Sequence, residues 1–343
     1  MTPSLGSAAR TPLLVAITIA ALALGSPAAA DAYWIGLRSD DWNDGIENGV
    51  SNWYDEPSLA GTAQKVPRDT AIFANGAINF TTVVRKDAGI KRIRFDASAP
   101  IFTIEVASGA TLSITGFGIS NQSNNSSALV LASGGRAIFG GKAKITGTGN
   151  VRSMNFYNAG SILFIEGAKG GDATVHNSKG GKIAFQDKSS AVGMAITNLG
   201  GTISFLDESG GEGVRILNSK GSLEVSRSGK KAIKILNLTN DDEVILDRSS
   251  ITLGEGFLQT GKGKLKLYAS KDVPVLQTVG QARLDGELWV IADEKTKPGT
   301  YKVIVAGTSR DGEFRKLRFS GSNKLKAKLV ADGKEVLLVL KAK

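Results

Sequence analysis

GSILFIEGAKGGDATVHNS from Gly160, GKIAFQDKSSAVGMAITNL from Gly181, GTISFLDESGGEGVRILNS from Gly201 and GSLEVSRSGKKAIKILNLT from Gly221 are four copies of one unit. Their leading glycines fall 21, 20 and 20 residues apart. Each copy holds two short alternating runs. The first is apolar at Ile162/Phe164, Ile183/Phe185, Ile203/Phe205 and Leu223/Val225. The second ends apolar-x-Asn, at Phe156/Asn158, Val175/Asn177, Ile196/Asn198, Ile216/Asn218 and Ile235/Asn237. Strict alternation makes each run a strand with one buried face.

Within a copy the strands stand well apart, whereas an asparagine is followed almost at once by the next glycine. A hairpin stack does not have that rhythm. A coil of about twenty residues laid on its neighbours does, and it sets like residues over like: a parallel β-helix. A β-sandwich with irregular repeats is the rival reading. In the solenoid, Asn158, Asn177, Asn198, Asn218 and Asn237 form one structural ladder, because asparagine accepts a left-handed corner and stacked amides bond along the column. Glycine serves the next bend. Proline is absent between Pro100 and Pro274, as unbroken ladders require. Weaker copies extend the pattern: SALVL, RAIF and KAKI upstream, Val244/Leu246 and Leu265/Leu267 downstream, with Asn121 placed like Asn198. About ten coils fit residues 75–290, a rod of roughly 50 Å.

The flanks differ. Residues 1–30 have the form of a secretory signal peptide: Arg10, the apolar run LLVAITIAALAL from Leu13, then Ala28-Ala29-Ala30 before Asp31. Residues 31–74, with Trp34, Trp42 and Trp53, are expected to be an aromatic N-terminal cap; a sugar-binding platform is the functional rival. Residues 291–343 turn at Lys297-Pro298-Gly299 and Ala331-Asp332-Gly333 and are expected to be a hairpin-rich C-terminal β cap.

Composition fits. Glycine accounts for 42 of 343 residues, proline for 8 and cysteine for none. Disulfides, catalytic thiols and cysteine-ligated metals are excluded, and a single histidine, His176, excludes a multi-histidine centre. The net charge of +10 is unevenly placed. Residues 31–60 carry seven acids and one base (−6), whereas residues 295–343 carry thirteen bases and four acids (+9). Lys324, Lys326 and Lys328 are the candidate polyanion-binding residues of that basic end.

Three parts of the chain resemble the passenger regions of bacterial autotransporters: Trp34-x-Gly36…Trp42…Asn52-Trp53…Val66-Pro67…Asp69-Thr70-Ala71-Ile72-Phe73 at the start, the Gly-x-Ile-x-Phe…Ile-x-Asn coils, and Gly299-Thr300-Tyr301-Lys302-Val303-Ile304-Val305-Ala306 with Gly312-Glu313-Phe314 near the end. The resemblance implies a right-handed helix of the pectin-lyase-like kind. That family continues into a membrane barrel, whereas this sequence ends at Lys341-Ala342-Lys343. The expectation is therefore a passenger-like protein without its barrel, located in the periplasm, at the cell surface or in the medium of a Gram-negative-type bacterium.

Chemistry is sparse. Asp207-Glu208-Ser209-Gly210-Gly211 has the outline of a serine-protease turn, but its one available base, His176, sits at an outward position equivalent to Tyr157, Thr197, Leu217 and Leu236. Asp172, Asp187, Asp207 and Glu208, beside Lys188 and Arg215, are the acids an acidic-glycan lyase or hydrolase would use. Asp40, Asp41 and Asp44 are a weak calcium candidate. No catalytic residue, metal ligand or cofactor is assigned. The expected function is a non-catalytic adhesion or interaction module at the envelope, with acidic glycan, lipopolysaccharide or a host or cell surface as partner; the alternative is a polysaccharide-active enzyme. No nucleic-acid partner and no membrane span in the mature chain are expected, and the oligomeric state is left open.

Overall fold

The Gly-x-Ile-x-Phe runs form the strands Ser161–Phe164, Lys182–Phe185, Thr202–Leu206 and Ser222–Ser226, stacked parallel and in register. Ile162 lies on Ile183, Ile203 and Leu223, and Phe164 on Phe185, Phe205 and Val225. The second runs form Met154–Asn158, Ala173–Ser178, Ala195–Leu199 and Arg215–Asn218, parallel in a second sheet. This arrangement comes from a computed structural model, which describes residues 31–147, 154–226, 232–269, 275–292, 296–321 and 324–343. The signal read over residues 1–30 lies outside them. Among the described residues there is no helix, and the chain is a parallel β-solenoid of about nine turns.

Backbone ladders dictate the core packing. Phe139, Phe164, Phe185 and Phe205 stack face to face with centroids 4.8–4.9 Å apart and planes 11–13° apart. Free aromatic pairs prefer offset or edge contacts. Here the spacing between coils fixes both the distance and the tilt. At the N-terminal end the order changes. Trp34 and Trp42 each meet Trp53 edge-on at 5.0 Å, and all three are buried over Phe73. Their polar edges are satisfied inside, since Trp34 Nε1 donates to the Asn79 carbonyl and Trp53 Nε1 to that of Trp42. Parallel pairing in the first sheet runs past residue 290 to the Lys316–Ser320 strand. In the second sheet, Gly299–Ala306 pairs antiparallel with Glu335–Ala342, which in turn pairs with Leu325–Asp332.

One buried column is polar. The side-chain amide of Asn158 donates to Asn177 (2.7 Å), Asn177 to Asn198 (2.9 Å), Asn198 to Asn218 (2.8 Å), and Asn218 to Asn240 (3.0 Å). Asn240 then donates to Gln259 at 3.1 Å. Each amide also reaches a carbonyl of the following coil, such as Lys182, Thr202, Ser222, Glu243 and Lys264. The expected fifth rung, Asn237, is not in the column. The strand Ile233–Asn240 is irregular between Ile235 and Asn237, where the N–H groups of Leu236 and Asn237 both reach the Val214 carbonyl. That extra residue moves Leu238 onto Ile216 and Asn240 onto Asn218, and leaves Asn237 opposite Arg215. The outward position is likewise Thr239, not Leu236. Asn121 lies in the first sheet, opposite Phe95, and bonds locally to Asn125.

Candidate functional site

Corners come first, because they decide which polar groups remain available. Glu166, Asp187 and Asp207 all take a left-handed backbone, with φ of 58°, 54° and 53°. They stack at the corner after the first sheet. The Glu166 N–H donates to Asp187 Oδ2 (3.0 Å), and the Asp187 N–H donates to Asp207 Oδ2 (3.2 Å). The Gly141 N–H donates to Glu166 Oε2 in the same way. A carboxylate that accepts a backbone N–H repays the strain of its own corner. Asp187 and Asp207 are thus brought together as expected, but as corner pieces.

The next residues along the chain, Lys188 and Glu208, sit one coil apart, with the Glu208 N–H donating to the Asp187 carbonyl. From there the chain enters a short third ladder. Lys144, Lys169, Ser190 and Gly210 pair in parallel as isolated bridges. Beside that ladder lies a groove of about 630 Å³, whose lining includes Lys169, Lys188 and Lys234 together with Glu208 and Glu212. Among the described residues, none of these three lysines has an ion-pair or side-chain hydrogen-bond partner. Many cations elsewhere are paired: Arg85 with Asp40, Arg94 with Asp96, Arg215 with Glu255 and Lys302 with Glu335. The groove therefore brings three lysines from separate coils against two carboxylates, a net charge of +1. Sequence reading singled out Lys188 beside Asp187. It missed Lys169, on the third ladder, and Lys234, on the strand Ile233–Asn240, because their convergence depends on where that ladder passes the second sheet.

The other expected residues are dispersed. Arg215 is on the outer face of the second sheet, held by Glu255 through two 2.6 Å bonds. That pairing raises the Arg215 pKa and lowers that of Glu255. Asp172 does not line the groove. His176 stacks on Tyr157 at 5.2 Å along the outward column of the second sheet, whereas Ser209 is fully buried in the corner after the first. Base and hydroxyl therefore belong to different faces. Of the calcium candidates, Asp40 holds Arg85 (2.7 and 3.0 Å), Asp44 accepts from Ser39 at 2.9 Å, and Asp41 accepts the Asn43 N–H. The Arg85 hydrogen bond keeps the Asp40 carboxyl below its usual range. The three buried tryptophans leave no ring face for a sugar.

Lys326 and Lys328 are exposed on the Leu325–Asp332 strand, opposite Lys341 and Val339. Lys324 stands just before it, its carbonyl accepting the Lys343 N–H. They form a second basic surface, far along the order of strands from the groove. Among the described residues, no helix is long and apolar enough to cross a membrane. No family model, curated protein or solved structure matches the chain.

Proposed function

We propose that this chain is an exported, autotransporter-passenger-like β-helix that works as a non-catalytic adhesion or interaction module at the bacterial envelope. Its partner is an anionic surface polymer, an acidic glycan or a lipopolysaccharide. The observation that carries this reading is the convergence of Lys169, Lys188 and Lys234, their side chains unpaired among the described residues, on one groove. Ammonium groups that project from a rigid scaffold attract a polyanion before contact and hold it after. Glu208 and Glu212 stand where they can accept hydroxyl protons from a sugar chain. The basic tail around Lys324, Lys326 and Lys328 is a second anchoring surface for the same class of partner.

Calorimetric titration of the full-length protein with polygalacturonate and with lipopolysaccharide tests this. Lys169→Gln, Lys188→Gln and Lys234→Gln together should weaken binding at least tenfold, and salt should weaken it in the wild type. Binding that ignores these three changes and is lost on neutralising Lys324, Lys326 and Lys328 would move the site to the tail. No binding to either polymer would remove the reading.

The acidic-glycan enzyme keeps one observation in its favour: Lys188 and Glu208 face the same groove one coil apart, a possible base and acid. Absorbance of unsaturated product from polygalacturonate, with and without calcium, separates the two readings. Turnover abolished by Lys188→Gln would replace the adhesin with a lyase.

A further inference from the structure

The two ends of the rod are unlike, and the difference goes beyond net charge. Among the described residues, the first sheet ends at Ala63–Gln64 on one side and at Lys316–Ser320 on the other. The Ala63–Gln64 strand belongs to a hairpin with Trp53–Tyr54, whose connection exposes Asp55, Glu56 and Leu59. The opposite edge carries Lys316 and Arg318 on its outer side. Its inner residues, Leu317 and Phe319, are the last members of the two core columns that run through Leu288 and Val290. Earlier members of both columns are fully buried, whereas these two are half-buried.

The second sheet repeats the contrast. Its first strand, Thr81–Val84, is flanked by Asp40 and Asp41: the Val83 N–H donates to the Asp40 carbonyl, and Asp41 bridges Val83. Its last strand, Leu325–Asp332, exposes Lys326 and Lys328, and its Leu329 is half-buried. Asp40 is held by Arg85, and Lys316 and Arg318 by Glu287, so the charges left for a partner are those of Asp55 and Glu56 at one end and of Lys326 and Lys328, beside partly covered apolar side chains, at the other. An edge strand with partly exposed apolar residues is a template for pairing.

We propose that the basic end of one copy docks on the acidic end of a second, head to tail. Two basic ends repel each other, as do two acidic ends, so charge selects the polar arrangement. Such a contact is heterologous and does not close, and the product is a linear filament of rods. This inference does not rest on the groove, which lies on the side of the rod; it gives Lys326 and Lys328 of the basic tail a second copy of the chain as partner, so assembly is read without added polymer.

Sedimentation velocity of the full-length protein across micromolar concentrations, with negative-stain microscopy, tests it. Species that lengthen with concentration are expected, weakened at least tenfold between low salt and 1 M, where screening acts within about 3 Å. Asp55→Lys with Glu56→Lys should block assembly, as should Lys326→Glu with Lys328→Glu. Mixing the two variants, or combining all four changes in one chain, should restore it, because each junction then regains opposite charges. Circular dichroism confirms that each variant is folded. A protein that stays monomeric throughout, oligomers indifferent to reversal at Asp55 and Glu56, or variants that fail to rescue each other would each overturn the proposal.

Discussion

Asn198 and Asn237 look alike in the sequence, and the structure assigns them opposite fates. The side chain of Asn198 is buried, donating to Asn218 at 2.8 Å, to the Gly201 carbonyl at 2.9 Å and to Ser222 at 3.2 Å. Its oxygen accepts from Asn177 at 2.9 Å and from the Gly201 N–H at 3.2 Å. Asn198→Ala leaves the Gly201 N–H and the Asn218 oxygen without these partners, and reduces Asn177 to its 3.3 Å contacts. A stranded buried group costs about 1–3 kcal/mol, and the void adds to this. A loss of roughly 3–5 kcal/mol is therefore expected. Asn237 is half-buried on the outer side, where its side chain bonds Glu255. Asn237→Ala should cost less than about 1 kcal/mol. Asn198→Asp should be worse than alanine at neutral pH, because its second oxygen faces the Gly201, Ser222 and Asn218 oxygens, and the penalty should ease as that carboxyl protonates. Urea unfolding followed by circular dichroism measures all three, provided that the slope stays constant. Equal costs for Asn198→Ala and Asn237→Ala would refute the register that places Asn240 in the column.

Two further outcomes follow from particular side chains. The hydroxyls of Ser189 and Ser209 are buried without a partner, in an interior corner position that Ala168 fills in the preceding coil. Ser189→Ala and Ser209→Ala should each raise stability by about 1 kcal/mol, read as a higher melting temperature; a drop would mean that the hydroxyls are paired. Glu287 is held down to a pKa of about 2, first by the Arg318 hydrogen bond and then by that of Trp289. Its folded value lies below the unfolded 4.5, so its contribution is complete above pH 4.5 and is lost as pH falls through about 2. In Arg318→Gln the carboxyl should titrate closer to 4.5 by NMR; a midpoint unchanged from wild type would assign the shift elsewhere.

The fold was legible in the sequence because a solenoid writes its ladder as a period. Ile162, Ile183, Ile203 and Leu223 must coincide in space if they coincide in phase. The asparagine column was legible until the period slipped. In the run ILNLTN from Ile235, both Asn237 and Asn240 follow an apolar-x step, and sequence alone gives no reason to prefer the second. The choice depends on a bulge, set by how the Val214 carbonyl shares two N–H groups. The candidate site was less legible still. Lys169, Lys188 and Lys234 occupy different phases of their coils, and only the packing of the third ladder beside the second sheet brings them to one groove. Corner aspartates were visible as a stacked pair, but their backbone partners were not, since a left-handed φ leaves no mark on an aspartate in the sequence.

The two kinds of polar column explain why the groove is left positive. Inside, amides are the suitable groups, because each can donate to the coil ahead and accept from the coil behind without carrying charge into a dry core. At the corners, carboxylates are suitable, because they only accept and the exposed turn offers an N–H from the preceding coil. Ammonium groups fit neither place: with three donors and no acceptor, a lysine cannot pass a hydrogen bond along a column. Lysines are accordingly kept out of both columns: Lys169 lies on the third ladder, Lys188 follows the Asp187 corner, and Lys234 is on the outer side of the strand Ile233–Asn240. The same ladder that orders the core thus excludes ammonium groups from it, and Lys169, Lys188 and Lys234 are left exposed along one side of the rod.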